Sequence, residues 1–215
     1  MVVASALASA ALPSTAGAAQ RLVSPSGATD PNCNPTPCGI EHAIETVAQT
    51  GDEVIVAPGT YNLGANDLRI ESKHLNVHGA DGQPRPRITT TQFGFILSPE
   101  ADGLVLRHLQ VETVQPTVSV DIQQGDITLS DLVLVSSAAS ISTVAVASND
   151  QKVTLLRDSV VRATGSSSSA IHIFHSVAQL RNLTVVAPAA SSTALRVGGI
   201  TGTPATATAK NVIVR

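Results

Sequence analysis

Along most of the chain, apolar and polar residues alternate over short runs, and one short pattern keeps returning. Five segments read apolar-x-apolar, a polar pair, then apolar-x-apolar: Leu104–Val111 (LVLRHLQV), Ile127–Leu134 (ITLSDLVL), Val153–Val161 (VTLLRDSVV), Ala178–Val186 (AQLRNLTVV) and Ala207–Val214 (ATAKNVIV). A sixth, Lys73–Gly79 (KHLNVHG), matches the second half of the pattern. The second member of each polar pair is His74, His108, Asp131, Asp158, Asn182 or Asn211, at successive separations of 34, 23, 27, 24 and 29 residues. Between them lie further β-rich stretches at Phe93–Leu97, Val118–Ile122, Thr143–Ala147, Ala170–Phe174 and Thr193–Val197. A period in the twenties with two or three short strands per repeat is the signature of a β-solenoid. Coils then stack at the inter-strand spacing of ~4.8 Å, and equivalent residues lie over one another.

The polar pair is read as a corner, where Asp or Asn satisfies backbone groups of the bend and stacks in a column. His74, His108, Asp131, Asp158, Asn182 and Asn211 are therefore assigned to a structural corner ladder. Pro/Gly/Ser runs at Gly82–Pro86, Gly165–Ser169 and Pro188–Ser192 absorb the unequal spacings. An antiparallel sandwich also alternates, but it needs tight hairpin turns, and Asp81-Gly82 and Asp102-Gly103 are the only Asp-Gly or Asn-Gly pairs.

Ahead of the repeats, Gly39–Thr50 (GIEHAIETVAQT) carries Ile40, Ala43, Ile44, Val47 and Ala48 at i, i+3, i+4, i+7 and i+8. That is one apolar stripe of an α-helix, with Glu41 and Glu45 opposite and Gly51 as the stop. A helix here is suited to covering a sheet end. Residues 1–18 read as a signal peptide, apolar from Val2 to Leu12, with Ala16-Gly17-Ala18 as a small-x-small cleavage site and no basic residue before Arg21. The apolar run is about half of the ~20 residues a bilayer span requires. Residues 19–38 form an N-terminal extension holding Cys33 and Cys38, read in an exported chain as a short-loop disulfide. A metal pair would lack two further ligands, so no metal is assigned.

Composition narrows the function. Charged residues are 13% of the chain and the net charge is −3, which leaves no basic face for nucleic acid. With no Trp, one Tyr and three Phe, the apolar weight falls on Val, Ile, Leu and Ala, suited to closely stacked strands.

The run Cys33…Cys38, the helix GIEHAIETVAQ, then GDEVIVAPGTY and KHLNVHG resembles the N-terminal part of exported pectate-lyase-like right-handed β-helix proteins. The corner Asp and Asn repeats resemble that superfamily's later coils, so the likeness covers Cys33 to Arg215. The fold expected is all-β, a right-handed parallel β-helix (solenoid) over residues 51–215 with an N-terminal amphipathic capping helix at 39–50. The chain stops inside a coil at Lys210–Arg215, which reads as truncation. The superfamily holds lyases, hydrolases, epimerases and adhesins, so the resemblance implies fold more than activity.

In such folds a ligand groove runs along one parallel sheet. If Val118, Val120 and Ile122 point inward, Ser119 and Asp121 point out; likewise His172 and Phe174 point out beside inward Ile171 and Ile173, and Arg196 beside Leu195 and Val197. Asp121, a small residue, His172 and Arg196 then form an outward column, the candidate catalytic set for a uronate substrate. Arg196 would hold the carboxylate, His172 would move the proton, and Asp121 would hold a proton or cation, with His175 nearby. Acidic residues are otherwise dispersed, without the clusters that calcium binding or paired-carboxylate hydrolysis needs. Two functions follow. One is a non-catalytic secreted or cell-surface scaffold that contacts polysaccharide or surface glycans, with no cofactor. The other is a polysaccharide-active enzyme, a lyase before a hydrolase or epimerase, and Ca²⁺ enters only there. The Asn182-Leu183-Thr184 sequon is assigned to the ladder, and Thr206-Ala207-Thr208 lacks the regular outward Thr column of an ice-binding face.

Overall fold

The computed structural model describes residues 17–98, 101–114, 118–147, 152–198 and 204–215. The proposed signal peptide falls almost wholly outside them. The strands build a parallel β-solenoid with three faces. The first face stacks Gln20–Ala28, Glu53–Val56, Asn76–Gly79, Val105–Arg107 and Ile127–Ser130, then the leading halves of Val153–Ala163, Val177–Val186 and Thr206–Val214. The second stacks Thr60–Gly64, Arg87–Thr90, Gln110–Thr113 and Val133–Ser136, then the trailing halves of those same long strands. The third is a six-stranded sheet of Leu68–Ile70, Phe95–Leu97, Val120–Ile122, Ser142–Ala147, Ser169–Phe174 and Thr193–Gly198. Each strand pairs in parallel with its counterpart one coil away.

Register explains why the apolar columns recur. On the first face Leu106, Leu129, Leu156 and Leu180 follow one another. On the second face Ile88, Val111, Leu134, Val161 and Val185 do so, and on the third Leu97, Ile122, Val146 and Ile173. All of these are buried. Burying a Leu, Ile or Val fully is worth about 1.5–3 kcal/mol each, so these columns hold the stack together without aromatics. Burial fades in the last described strands, where Val197, Ile213 and Val214 are exposed.

The first and second faces meet at a one-residue bend. His108, Asp131, Asp158, Asn182 and Asn211 all take left-handed backbone there, with φ between 51° and 55°. Asn and Asp tolerate this region better than other side-chain-bearing residues, which is why the corner selects them. His74 lies outside this column. Leu75-Asn76-Val77-His78-Gly79 aligns with Leu104-Val105-Leu106-Arg107-His108, so Gly79 takes the register position of His108 and Ala80–Pro86 loops out beyond it. KHLNVHG thus matches the first half of the repeat. A side chain at Gly79 would strike the His108 carbonyl oxygen at 2.5 Å.

A second left-handed column, Ser140, Ser167 and Ser191, lies between the second and third faces. Its separations of 27 and 24 residues match those from Asp131 to Asp158 to Asn182. Serine is so common in these loops that its periodicity is hidden in the sequence.

The helical segment differs from expectation. Instead of an α-helix over Gly39–Thr50, a short π-helix spans His42–Val47. The Ala48 N–H bonds to the Ala43 carbonyl at 2.8 Å, five residues back, and Ala48 itself is extended. Asp52 ends the helix early by accepting from the Gln49 N–H at 3.0 Å, and the Asp52 N–H closes the turn onto the Gln49 carbonyl at 2.9 Å. The apolar stripe remains buried at Ile40, Ala43, Ile44 and Val47. Lys73 Nζ donates to the Ile44 and Glu45 carbonyls at 3.1 and 2.8 Å, satisfying groups the helix leaves open.

The sheet also begins earlier than the repeat pattern indicates. Gln20–Ala28, in the expected extension, is an edge strand paired with Glu53–Val56. Its Pro25, Ser24 and Ser26 mask the strand signal, and an edge is where a strand tolerates Pro. Cys33 and Cys38 form a disulfide with Sγ–Sγ 2.07 Å, both buried beside this strand.

Candidate functional site

The third face carries the sequence-derived set. Register pairs Asp121 with Ala145, Ala145 with His172, and His172 with Arg196. The column continues from Asp121 back to Ile96 and Arg69. Each step is one coil, ~4.8 Å, so His172 and Arg196 are immediate neighbours while Asp121 is about 10 Å from His172. The structure therefore brings two of the three residues together and separates the third by a methyl side chain.

Burial and then the charge of Arg196 push the His172 imidazole below its usual value. Both effects favour the neutral imidazole, the form that accepts a proton. Burial pushes the Asp121 carboxyl up, partly offset by Gln123 Nε2 donating to it at 3.2 Å. Phe174 lies two residues along from His172, with ring centroids 5.7 Å apart. His175 meets the same Phe174 ring edge-on at 3.8 Å. His175 has left-handed backbone and is buried, so it belongs to the bend after the strand and not to the exposed column.

Chemically, a neutral imidazole beside a guanidinium can take a proton from a carbon whose neighbouring carboxylate the guanidinium holds. The described part of this column has one carboxylate, Asp121. Paired-carboxylate hydrolysis needs two, about 5–9.5 Å apart. The described residues hold one compact group of metal-ligand types, Cys33, Cys38 and His42, and its sulfurs are spent on the disulfide.

The corner column is hydrogen-bonded in two stretches, Asp158 to Asn211 and His108 to Asp131. Asn211 Nδ2 donates to Asn182 Oδ1 at 3.1 Å, and Asn182 Nδ2 donates to Asp158 Oδ1 at 2.8 Å. Lower down, His108 Nδ1 contacts Asp131 Oδ2 at 2.6 Å, and Arg85 Nη2 donates to Asp131 Oδ1 at 2.5 Å. His108 Nε2 is 2.9 Å from the Gln83 carbonyl, tying the loop that replaces the corner one coil earlier.

Sequence reading missed Asp52 altogether. Its carboxylate accepts from the Ala19 N–H at 2.9 Å and from Arg21 Nε at 2.7 Å as well as from Gln49. It also missed that the residue before each corner forms a column of its own: His78, Arg107, Ser130, Arg157, Arg181 and Lys210. The signal is present in the sequence as Arg157-Asp158, Arg181-Asn182 and Lys210-Asn211.

No family model matches the chain, and no curated protein matches it. The solved structure of a pectate lyase, Pel9A, resembles it with a TM-score of 0.53 and 13% sequence identity, over 79% of this chain and 54% of that one. The chain thus spans about half the length of that structure. The likeness is one of architecture, and on it and the coil geometry the protein has the pectate-lyase-like parallel β-helix fold.

Proposed function

We propose that the protein is an exported, non-catalytic β-solenoid scaffold, secreted or held at the cell surface, that contacts glycans. The observation that supports it most is the outward column of the third face. Arg69, Asp121, Ala145, His172 and Arg196 lie in it, with the covered Ile96 between Arg69 and Asp121, so polar groups are interrupted by apolar side chains. Such a face suits distributed contact along a polymer more than convergence on one bond. The Cys33–Cys38 disulfide fits an oxidising compartment. The test is to incubate the purified protein with neutral and acidic polysaccharides and follow both co-sedimentation and product formation. Binding without new chain ends supports the scaffold; absence of binding to every glycan sinks it.

A second reading, a polysaccharide lyase, is favoured by one observation: register sets His172 directly beside Arg196, whose charge adds to burial in pushing the imidazole below its usual value. In it His172 accepts the proton and Arg196 holds a uronate carboxylate, with Asp121 two coils away bearing on a neighbouring sugar. Unsaturated product that disappears in His172→Ala would establish it over the scaffold.

A further inference from the structure

We propose that a linear acidic polysaccharide binds along the column that precedes the corner, seated on Arg157, Arg181 and Lys210. This rests on the glycan-contacting reading above and adds to the third-face column a second surface with a defined ligand class. It lies on the first face, away from His172 and Arg196.

Register places Arg157, Arg181 and Lys210 on three successive coils, in one outward column with ~4.8 Å between steps. Like charges directly opposite on neighbouring strands oppose the stack. The neighbouring corner residues show how far that is offset. Arg157 donates from Nη1 to Asp158 at 2.9 Å. One coil on, the corner residue is the neutral Asn182, and Arg181 donates to the Gln179 amide oxygen at 2.7 Å. At the third coil the corner residue beside Lys210 is Asn211, also neutral. Positive charge therefore accumulates toward the last coils, on side chains that are all exposed. A residue in this position has no packing reason to be basic; Ser130 fills the same column two coils before Arg181.

At the other end of the track, a surface cavity of about 230 Å³ opens where Ser130 stands between Arg107 and Arg157. Asp81, Asp131 and Asp158 line it and Arg107 is paired to Asp81 at 2.8 Å, so the anion-binding track ends at Arg157. Along the track itself, the exposed Asn182 and Asn211 amides can meet the hydroxyls of a polymer whose carboxylates or sulfates sit on Arg181 and Lys210. The ladder fixes those amides, so they are pre-organised for it. Nucleic acid fits less well. The chain's net charge is −3, and three cations do not make the extended basic face that phosphate neutralisation needs.

The test is titration of polygalacturonate and a sulfated glycosaminoglycan against the full chain and two charge-matched variants. One is Arg157→Gln/Arg181→Gln/Lys210→Gln. The other, Arg87→Gln/Lys152→Gln/Arg162→Gln, removes the same charge from outside both the track and the third-face column and so controls for net charge. Far-UV circular dichroism establishes that each folds. Exposed charge contacts are each worth about two- to five-fold, so the track variant is expected to bind about ten-fold or more weakly, with a flatter salt dependence. The control variant is expected to stay within about three-fold of the parent. Equal weakening of both variants, or none in the track variant while the parent binds, overturns the track and leaves the scaffold reading standing. A parent that binds no glycan overturns both, as does tighter binding to single-stranded nucleic acid than to either polysaccharide.

Discussion

Asn182 offers a direct test of the corner. It sits at φ 51°, where a side-chain-bearing residue without a short polar group pays about 1–2 kcal/mol. Its amide makes two ladder bonds, donating to Asp158 and accepting from Asn211. Each hydrogen bond contributes about 0.5–1.5 kcal/mol net, and these face solvent, so the lower end applies. Asn182→Ala loses both bonds and pays the backbone cost, a destabilisation of about 2–3 kcal/mol. Asn182→Gly loses the same bonds but avoids the backbone cost, paying instead about 0.5–1 kcal/mol for added freedom of the unfolded chain, in all about 1.5–2 kcal/mol. Within an ordinary strand the order is reversed, because Gly is the poorer residue there. The assay is urea unfolding by circular dichroism, comparing midpoints at equal slope. A glycine variant less stable than the alanine variant would refute the left-handed corner as the reason for Asn at this position.

Other consequences follow from single sites. A methyl group at Gly165 would lie 1.9 Å from the Ala138 carbonyl oxygen, a backbone atom that cannot yield, so Gly165→Ala should lower thermal stability far more than Ala163→Gly; equal losses would show that the coils are less tightly stacked. Leu129→Ala, at a fully buried position of the first-face column, should cost about 2–5 kcal/mol in the same urea assay. Cys33→Ser/Cys38→Ser opens a loop with a sequence separation of 5 and should cost about 2 kcal/mol, with the repeat strands retained by circular dichroism. The hydrogen bond from His78 holds the Glu53 carboxyl below its ordinary 4.5. A depressed native value places that stabilisation above the unfolded pKa and removes it as pH falls through the folded one, so Glu53→Gln should flatten the loss of stability below about pH 5. An unchanged acid limb would contradict it.

The solenoid was legible because its physics repeats. Inward columns such as Leu106, Leu129, Leu156 and Leu180 need apolar residues at each coil, and the bend needs Asp, Asn or a tolerant equivalent. The third-face column was legible by the same alternation, which placed Asp121, Ala145, His172 and Arg196 in register. Alternation also set a small residue between Asp121 and His172, and the coil spacing turns that gap into about 10 Å. Where the repeat lapses, reading failed. His74 was drawn into the corner because the loop Ala80–Pro86 breaks the spacing and Gly79 carries no polar signal. The helix ended early because Asp52, a buried tertiary partner of Ala19 and Arg21, captures the Gln49 N–H. No local propensity encodes that contact.

The central claim is that the outer faces bind glycans and do not cleave them. Incubation of the full chain with polygalacturonate, with bound polymer and unsaturated product followed in the same sample, tests it most directly. The account predicts salt-sensitive binding with product at the level of a protein-free control. Product that accumulates with time and vanishes in His172→Ala would contradict it.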